Sequence, residues 1–331
     1  MASSYSNYHP VDSILSSLAQ EAVQGEGAFV ANQIFETVQT PERSGTLLIE
    51  ASRNFTGAGA GLSFERAPGA SRVRIGGFDR SSTTFKALNY GLEDVIAMEE
   101  LEDSQFPGSE EQRLVKKVAR ALMINREKRA ADLLFNTTTF SPISPTTKFN
   151  SAGGSPLDYL HSTPIETVFS NAHGIYPDTM ILGHGVFRAL SRNPEIRGIA
   201  GGGYSSGFTT GQYILSHEDT IGILRAKLGI ENIYVAEARQ DTAVPGATSS
   251  EAFIWDTESI WVGILKGSDA ITNRSGVKIM PTAALNFKWK DMQAGQYDSL
   301  DLTRRHVWAE ESCLYKIIDA NYGVLVNNCL A

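Results

Sequence analysis

One long helix pattern constrains this chain more than any other feature of its sequence. Apolar residues recur at helical spacings between residues 109 and 136, and no Gly or Pro interrupts that stretch. These apolar residues are Leu114, Val115, Val118, Leu122, Met123 and Leu133. Ser109 is the expected N-cap, and Glu110 and Glu111 place negative charge on the first turn. At 1.5 Å per residue the helix would be roughly 40 Å long, more than a small domain needs.

The segment before this helix is typical of a long hairpin. Residues 46–50 and 83–88 have strand-like patterns, and the chain between them is rich in Gly, Ser and Arg. A connection of that length is unusual inside a compact domain and is usually functional or disordered. An acidic turn would join the hairpin to the helix. This order of parts suits a subunit that lies on its neighbours better than an enzyme built around a pocket.

Composition bounds the class of protein. The chain has 331 residues, enough for one large or two ordinary domains, with 42% hydrophobic and 20% charged residues, as in soluble globular proteins. No apolar run approaches the length of a membrane span, and the N-terminus does not resemble a signal peptide. The two cysteines, Cys313 and Cys329, do not make a disulfide framework, so the chain is expected to fold in the reducing environment of a cell interior. A net charge of −8 argues against a broad basic face for nucleic acid.

Charge is divided into blocks along the chain. Residues 1–42 hold five acidic residues and no Lys or Arg, a charge of −5. Residues 43–86 hold six arginines and Lys86 against three acidic residues, a charge of +4. Residues 93–111 hold eight acidic residues and no basic one. Two interpretations stay open: the blocks are separate solvated faces, or opposite blocks on different copies of the chain meet and set their register.

The rest of the chain divides into an arm, a linker and a mixed region. Residues 1–45 are typical of an extended arm with a short helix at 10–20, and residues 137–156 of a linker. Residues 157–265 are expected to form a mixed α/β unit, with a loop at 198–211, and residues 277–331 are strand-rich. The predicted helices are 165–173, 185–192 and 217–228. The predicted strands are 179–182, 232–236, 252–255, 259–265, 277–280, 285–289, 307–308, 313–318 and 324–326.

A search for catalytic chemistry finds no persuasive active site. The histidines have no metal-ligand spacing, and neither cysteine belongs to a CxxC motif. The glycines at 201–203 are not followed by the Lys and Ser or Thr of a phosphate loop. The SxxK match at residues 275–278 has no companion motif, and no GxSxG elbow occurs. The four tryptophans lie in strand-like runs, which indicates core packing. We therefore predict no catalytic, cofactor-binding or metal-binding residues and no enzyme activity.

The order of these parts resembles the tailed-phage major capsid proteins with the Hong Kong 97 fold, a fold that encapsulins share. The segments that carry the resemblance are residues 90–96, 99–101, 126–134, 180–183, 187–190, 193–196, 228–230, 233–238 and 319–326. Together with the arm, hairpin and long helix, they extend it over nearly the whole chain.

The resemblance implies an α+β fold with five named parts. These are an N-terminal arm (1–45), an extended loop (46–90), a peripheral domain (91–154, with a spine helix at 109–136, and return strands at 266–315), an axial domain (155–265) and a C-terminal strand (316–331) that returns to the axial domain.

The resemblance also implies a function. The chain would assemble as hexamers and pentamers into an icosahedral shell, in the host cytoplasm and then in the virion, around double-stranded DNA that it does not bind tightly or specifically. Separate scaffolding, portal and cement or decoration proteins are further expected partners, and no cofactor or membrane is expected. Two alternatives remain: an encapsulin-type cage that houses a cargo enzyme, and a soluble α/β enzyme whose site lies within residues 157–265.

Two sets of residues are expected to make contacts between subunits. Loop arginines would meet acidic residues of a neighbour: Arg53, Arg66, Arg72, Arg74 and Arg80 on one side, and Glu93, Asp94, Glu99, Glu100, Glu102 and Asp103 on the other. A second set would form a loop at the capsomer axis: Gly201, Gly202, Gly203 and Tyr204. The family's name-giving member cross-links its loop through a lysine. Residues 1–85 contain none, so a shell without covalent cross-links is expected.

Overall fold

The computed structural model describes residues 11–24, 29–50, 65–66, 68–69, 71, 80–103, 107–151, 153–172, 174–200, 215–244, 246–266, 271–272, 278–279 and 282–331. The helices are α1 (Ser13–Gln24), α2 (Ala31–Ile34), α3 (Met98–Asp103), α4 (Pro107–Leu134), α5 (Pro156–Leu160), α6 (Glu166–Asn171), α7 (His184–Arg192), α8 (Pro194–Ala200) and α9 (His217–Leu228). A π-helical turn (His161–Ile165) joins α5 to α6, and a 3-10 turn (Ala320–Tyr322) precedes the last strand. The strands are β1 (Thr37–Gln39), β2 (Ser44–Glu50), β3 (Arg80–Lys86), β4 (Leu88–Ala97), β5 (Pro142–Ile143), β6 (Thr179–Gly183), β7 (Asn232–Ala236), β8 (Arg239–Asp241), β9 (Glu251–Phe253), β10 (Ile260–Gly263), β11 (Ile271–Thr272), β12 (Lys278–Ile279), β13 (Ala284–Asp298), β14 (Arg304–Ile317) and β15 (Gly323–Val326).

The first sheet has the strand order β1-β13-β14-β4 and carries α1 and α4 on one face. Strand β14 pairs antiparallel with both β13 and β4, and β1 pairs parallel with β13. The core between sheet and helices consists of buried apolar residues from α1, α4, β13 and β14. They are Leu15, Ala19, Val115, Val118, Ala119, Leu122, Met292, Ala294, Val307 and Ala309.

Helix α4 confirms the long helix pattern, but its ends differ from those expected. Val115, Val118, Leu122 and Met123 of the expected apolar face are buried. The helix begins at Pro107, because the fixed φ of proline suits the first helical turn, so Ser109 lies inside the helix and is not its N-cap. It ends at Leu134 rather than near residue 136.

The acidic segment before α4 also differs from the expected turn. Strand β4 extends to Ala97, and the short helix α3 follows it directly. The expected acidic turn is therefore a strand and a helix.

The second sheet has the strand order β5-β15-β10-β6-β7. All residues of β6, β10 and β15 are buried. Two apolar cores explain this burial: one lies against α5, α7, α8 and α9, and the other against the end of α4. The predicted strands 179–182 and 232–236 and the helices 185–192 and 217–228 are confirmed. The last strand, β15, joins this sheet through β10 and β5.

A two-stranded ribbon is formed by β2 and β3, which pair antiparallel from Ser44 with Lys86 to Glu50 with Arg80. Its base is fixed to the first sheet. The ring of Phe85 stacks on that of Phe287 at 4.7 Å, and Lys316 Nζ donates to Thr83 Oγ1 at 2.6 Å. The predicted hairpin strands are therefore confirmed, and the ribbon is held at the end opposite its tip.

Two further sequence predictions need correction. Residues 307–308 and 313–318 are expected from the sequence as separate strands, but residues 307–308 and 313–317 belong to one continuous strand, β14, which ends at Ile317. The sequence between them, Ala-Glu-Glu-Ser, has low strand propensity, and tertiary contacts of Glu311 override it. Residues 198–200 of the loop expected at 198–211 belong to helix α8, and residues 201–211 lie outside the described residues.

Candidate functional site

The acidic residues of β4 have partners within their own chain. Strand alternation directs Asp94 towards α4, where Lys117 Nζ lies 2.6 Å from its carboxylate and lowers its pKa. Glu93 lies on the opposite face. Its carboxylate is 2.8 Å from His306 Nδ1 and accepts a hydrogen bond from Tyr297 OH, also at 2.8 Å. These two side chains therefore help to hold β4 against α4 and the β13–β14 hairpin.

Helix α3 presents the remaining acidic residues to solvent. Glu99, Glu100, Glu102 and Asp103 are exposed, and within the described parts of the chain no ion pair to any of them is found. Glu110 and Glu111, by contrast, pair with Arg113 and Arg305 on their own chain. The acidic surface open to a partner is therefore α3, which we call the α3 acidic patch (residues 99–103).

The α3 acidic patch lies beside the turn that joins β13 to β14. Met98 N–H donates to the Thr303 carbonyl at 2.9 Å. At this turn Leu300 and Leu302 are exposed at 107% and 69%. This turn therefore places two exposed leucines next to the α3 acidic patch.

The expected loop arginines are placed only in part. Arg66 is exposed, and Arg80 begins strand β3. Arg53, Arg72 and Arg74 lie outside the described residues, as do Gly201, Gly202, Gly203 and Tyr204 of the expected axis loop. The pairing of these arginines with the α3 acidic patch, and the axis loop itself, therefore stay predictions.

A buried charge cluster joins the end of α4 to strand β14, and sequence reasoning missed it. Glu311 accepts hydrogen bonds from Arg126 and from Arg129, the latter at 2.9 Å. Arg126 also donates to Asn32 of the arm, and the Arg129 guanidinium lies 3.6 Å over the ring of Tyr90. Burial alone would raise the pKa of the Glu311 carboxyl, but the two guanidinium groups hold it below its ordinary value. The cluster thus ties the arm, α4, β4 and β14 together.

Glu127, next to this cluster, is a second buried charged residue that the sequence did not single out. It is 1% exposed and accepts hydrogen bonds from the Ala31 N–H and from Trp255 Nε1. The signal that could have found the cluster is the three-residue spacing of Arg126 and Arg129, which places both on one helix face.

Metal and membrane sites were also sought. Within the described residues, no group of three or more His, Cys, Asp or Glu side chains is arranged to hold a metal ion. No helix in the described part of the chain is long and apolar enough to cross a membrane.

Comparison with known proteins agrees with this architecture. The chain is 25% identical over 233 residues to the major capsid protein of Burkholderia phage BcepMu, covering 69% of each chain. It is similar to a phage-related protein from Bordetella bronchiseptica RB50, with a TM-score of 0.67, 16% identity and coverage of 97% and 98%. No family model matches the chain.

Two assembled particles are also similar in fold. A virus-like particle from Pyrococcus furiosus gives a TM-score of 0.56 at 10% identity, with coverage of 95% of this chain and 98% of that one. The capsid of Myoviridae phage XM1 gives 0.51 at 12% identity, with coverage of 90% and 91%. These findings show the fold of the protein. The chain has the α+β Hong Kong 97 fold of these capsid structures, and its sequence is similar to that of a phage major capsid protein.

Proposed function

We propose that the chain assembles as hexamers and pentamers into an icosahedral shell that encloses double-stranded DNA. The observation that carries the proposal is the 25% identity to a phage major capsid protein over 69% of both chains. The ribbon of β2 and β3 adds support, since it is fixed to the body at its base, and an isolated two-stranded ribbon is only marginally stable. A neighbouring copy that packs on the ribbon would supply the missing contacts.

The contacts between copies would join the arginine-rich loop to an acidic surface. The loop arginines Arg53, Arg66, Arg72, Arg74 and Arg80 would face the acidic segment of an adjacent copy. Within that segment we assign the main role to the α3 acidic patch, because Glu93 and Asp94 already have partners in their own chain. The loop Gly201 to Tyr204 would surround the capsomer axis.

The domain division expected from the sequence fits this proposal. The arm (1–45), extended loop (46–90), axial domain (155–265) and C-terminal strand (316–331) would keep the roles that the resemblance implies. The peripheral domain (91–154 and 266–315) would contain the first sheet and α4.

The inner surface would hold DNA without binding it tightly. Residues 1–42 carry a charge of −5, and we place this arm on the inner face of the shell. Dense Lys and Arg would hold phosphates by releasing counterions and would stop packaged DNA from sliding. Submicromolar affinity of a peptide of residues 1–42 for duplex DNA at physiological salt would contradict this placement.

The role we propose is structural, without catalysis or a cofactor. Assembly would take place in the host cytoplasm, with separate scaffolding, portal and cement or decoration proteins as further partners. Two alternatives to a phage shell remain. One is a cage of the same fold that houses a cargo enzyme, and the other is a soluble α/β enzyme.

The test is assembly of the purified full-length chain. Light scattering and negative-stain microscopy should show closed shells, and shells from infected cells should contain nuclease-protected DNA. If only monomers or dimers form at all salt and protein concentrations, the proposal is contradicted, and the soluble α/β enzyme is the hypothesis that remains. A co-purified enzyme inside the shells, identified by mass spectrometry in place of DNA, would establish the cage alternative.

A further inference from the structure

The carboxyl group of Glu127 joins three segments that are far apart in the sequence. Glu127 lies in α4, and its Oε1 accepts a hydrogen bond from the Ala31 N–H at 2.5 Å. Its Oε2 accepts a hydrogen bond from Trp255 Nε1–H at 2.7 Å. All three residues are buried, with exposures of 1%, 2% and 1% for Glu127, Ala31 and Trp255. An ionisable group in such a position is costly unless its hydrogen bonds compensate for the loss of water.

The arm segment that Glu127 contacts is also held by apolar packing and by two further hydrogen bonds, from Arg126 to the Asn32 side chain and from Tyr234 OH to the Gln33 carbonyl. We call residues 29–35 the arm anchor. Phe29 packs with Met123 of α4, and the other buried residues of the anchor join the core around the end of α4. The N-cap residue of α2, Val30, makes no side-chain capping bond. Glu127 therefore supplies from another helix the acceptor that the first turn of α2 lacks.

The groups around the Glu127 carboxyl determine its pKa. Burial raises the pKa of Glu127 to about 7, and the N–H donors of Ala31 and Trp255 and the charge of Arg126 oppose that rise only in part. Arg126 lies on the same helix and is itself held by Glu311 of β14, with Cys313 and Tyr315 beside it. The contacts that the arm anchor and Trp255 make with the carboxyl are N–H hydrogen bonds.

From this geometry we infer that Glu127 is a proton-controlled latch that fastens the arm anchor to α4. When the anchor leaves, water reaches the carboxyl and its pKa falls towards the ordinary value of 4.5. Docking of the anchor is therefore coupled to proton uptake. It is strongest below about pH 4.5 and weakens as the pH rises through about 7. Proton binding and docking are linked, with a pKa of about 7 in the docked state and 4.5 in the undocked state. The equilibrium constant for docking should therefore fall about tenfold from pH 6 to pH 8.

Amide hydrogen exchange in the full-length protein tests the latch. The protection of residues 29–35 is measured between pH 6 and pH 8 in the wild type and in Glu127→Gln. Comparison at equal pH cancels the intrinsic dependence of exchange on pH. The ratio of wild-type to variant protection should fall about tenfold over this range, because glutamine carries no proton to lose. A ratio that is the same at every pH would overturn the inference.

A second variant keeps the test decisive if Glu127→Gln does not fold. Trp255→Phe retains an aromatic ring but removes one N–H donor to the ionised carboxylate, so it should raise the pKa of Glu127 further. The midpoint of the pH-dependent loss of protection should then move to higher pH. A purely structural role of Trp255 would lower protection equally at every pH. An unmoved midpoint would therefore contradict the latch.

Discussion

Arg126 on α4 and Glu311 on β14 form an ion pair whose side chains are 7% and 0% exposed. The two residues lie 185 positions apart in the sequence, and Arg129 adds a second guanidinium to the same carboxylate. A buried ion pair offsets its desolvation cost only with good geometry and further hydrogen bonds. Here Asn32 and Tyr90 help to surround the two arginines, so the cluster fixes how the arm and β4 meet α4 and β14.

Replacement of Glu311 by Gln should strongly destabilise the subunit. The variant leaves Arg126 and Arg129 buried without a counter-charge, and breaking a buried pair in this way costs about 3–5 kcal/mol. Urea unfolding followed by tryptophan fluorescence measures the loss, since Trp255 and Trp261 are buried. Glu310→Gln is the matched control on the same strand. Its side chain points to the other face, and we expect a change within about 0.5 kcal/mol.

The difference in unfolding free energy between wild type and Glu311→Gln should also depend on pH. Although burial opposes the effect, Arg126 and Arg129 lower the pKa of Glu311 below 4.5. A carboxyl with a lowered folded-state pKa contributes stability above its unfolded pKa and loses it as the pH falls through the folded value. The difference in unfolding free energy between wild type and Glu311→Gln should therefore be constant near neutral pH and shrink below about pH 4.5. A difference that grows in acid would contradict this assignment.

Two glycines of α9 should respond to alanine with opposite signs. Gly229 ends the helix with φ at +70°, and its N–H donates to the Arg225 carbonyl at 3.0 Å. Alanine in this left-handed conformation costs about 1 kcal/mol, so Gly229→Ala should lower the thermal midpoint. Gly222 lies inside the helix with open space around its Cβ position, and Gly222→Ala should stabilise by about 0.5–1 kcal/mol. Shifts of the same sign would contradict this account of the cap.

Local pattern was enough to predict some elements of this fold. The spacing of Val115, Val118 and Leu122 predicted the buried face of α4. The short apolar runs at 179–182 and 232–236 predicted β6 and β7, which pair in parallel. Such elements are determined by residues close together in the sequence, so periodicity is sufficient to find them.

Long-range contacts determine what the sequence did not predict. Register shifts near Lys290 interrupt the alternation of β13, so its full length of 15 residues was missed. The Arg126–Glu311 pair was missed because each partner lies in a charged run that resembles a solvated surface. The α3 acidic patch could be distinguished from the rest of the acidic segment only after β4 placed Glu93 and Asp94 next to partners in their own chain.

Charge reversal in the loop should impair assembly without impairing folding. Arg72→Glu with Arg74→Glu should raise the protein concentration needed for shells, as measured by light scattering at low salt. Each exposed pair contributes only about 0–1 kcal/mol, but the effect repeats over many copies. Adding Glu99→Arg and Glu100→Arg should restore assembly if these charges meet between subunits. Arg188→Glu with Lys227→Glu, two exposed positions elsewhere, is the control with the same change in net charge. Unchanged assembly of the loop variant at low salt would rule out the pairing.

The shell should contain no covalent cross-links between subunits. An isopeptide bond needs an amine that can lose its proton, and arginine stays charged and cannot replace lysine. The loop has no lysine before Lys86, which pairs in register with Ser44 at the base of the ribbon, away from its tip. Boiled and reduced particles should therefore give one band near 36.0 kDa on a denaturing gel. A ladder of heavier bands that survives reduction would show that another lysine reaches a neighbouring subunit, and mass spectrometry of the cross-linked peptide would identify it.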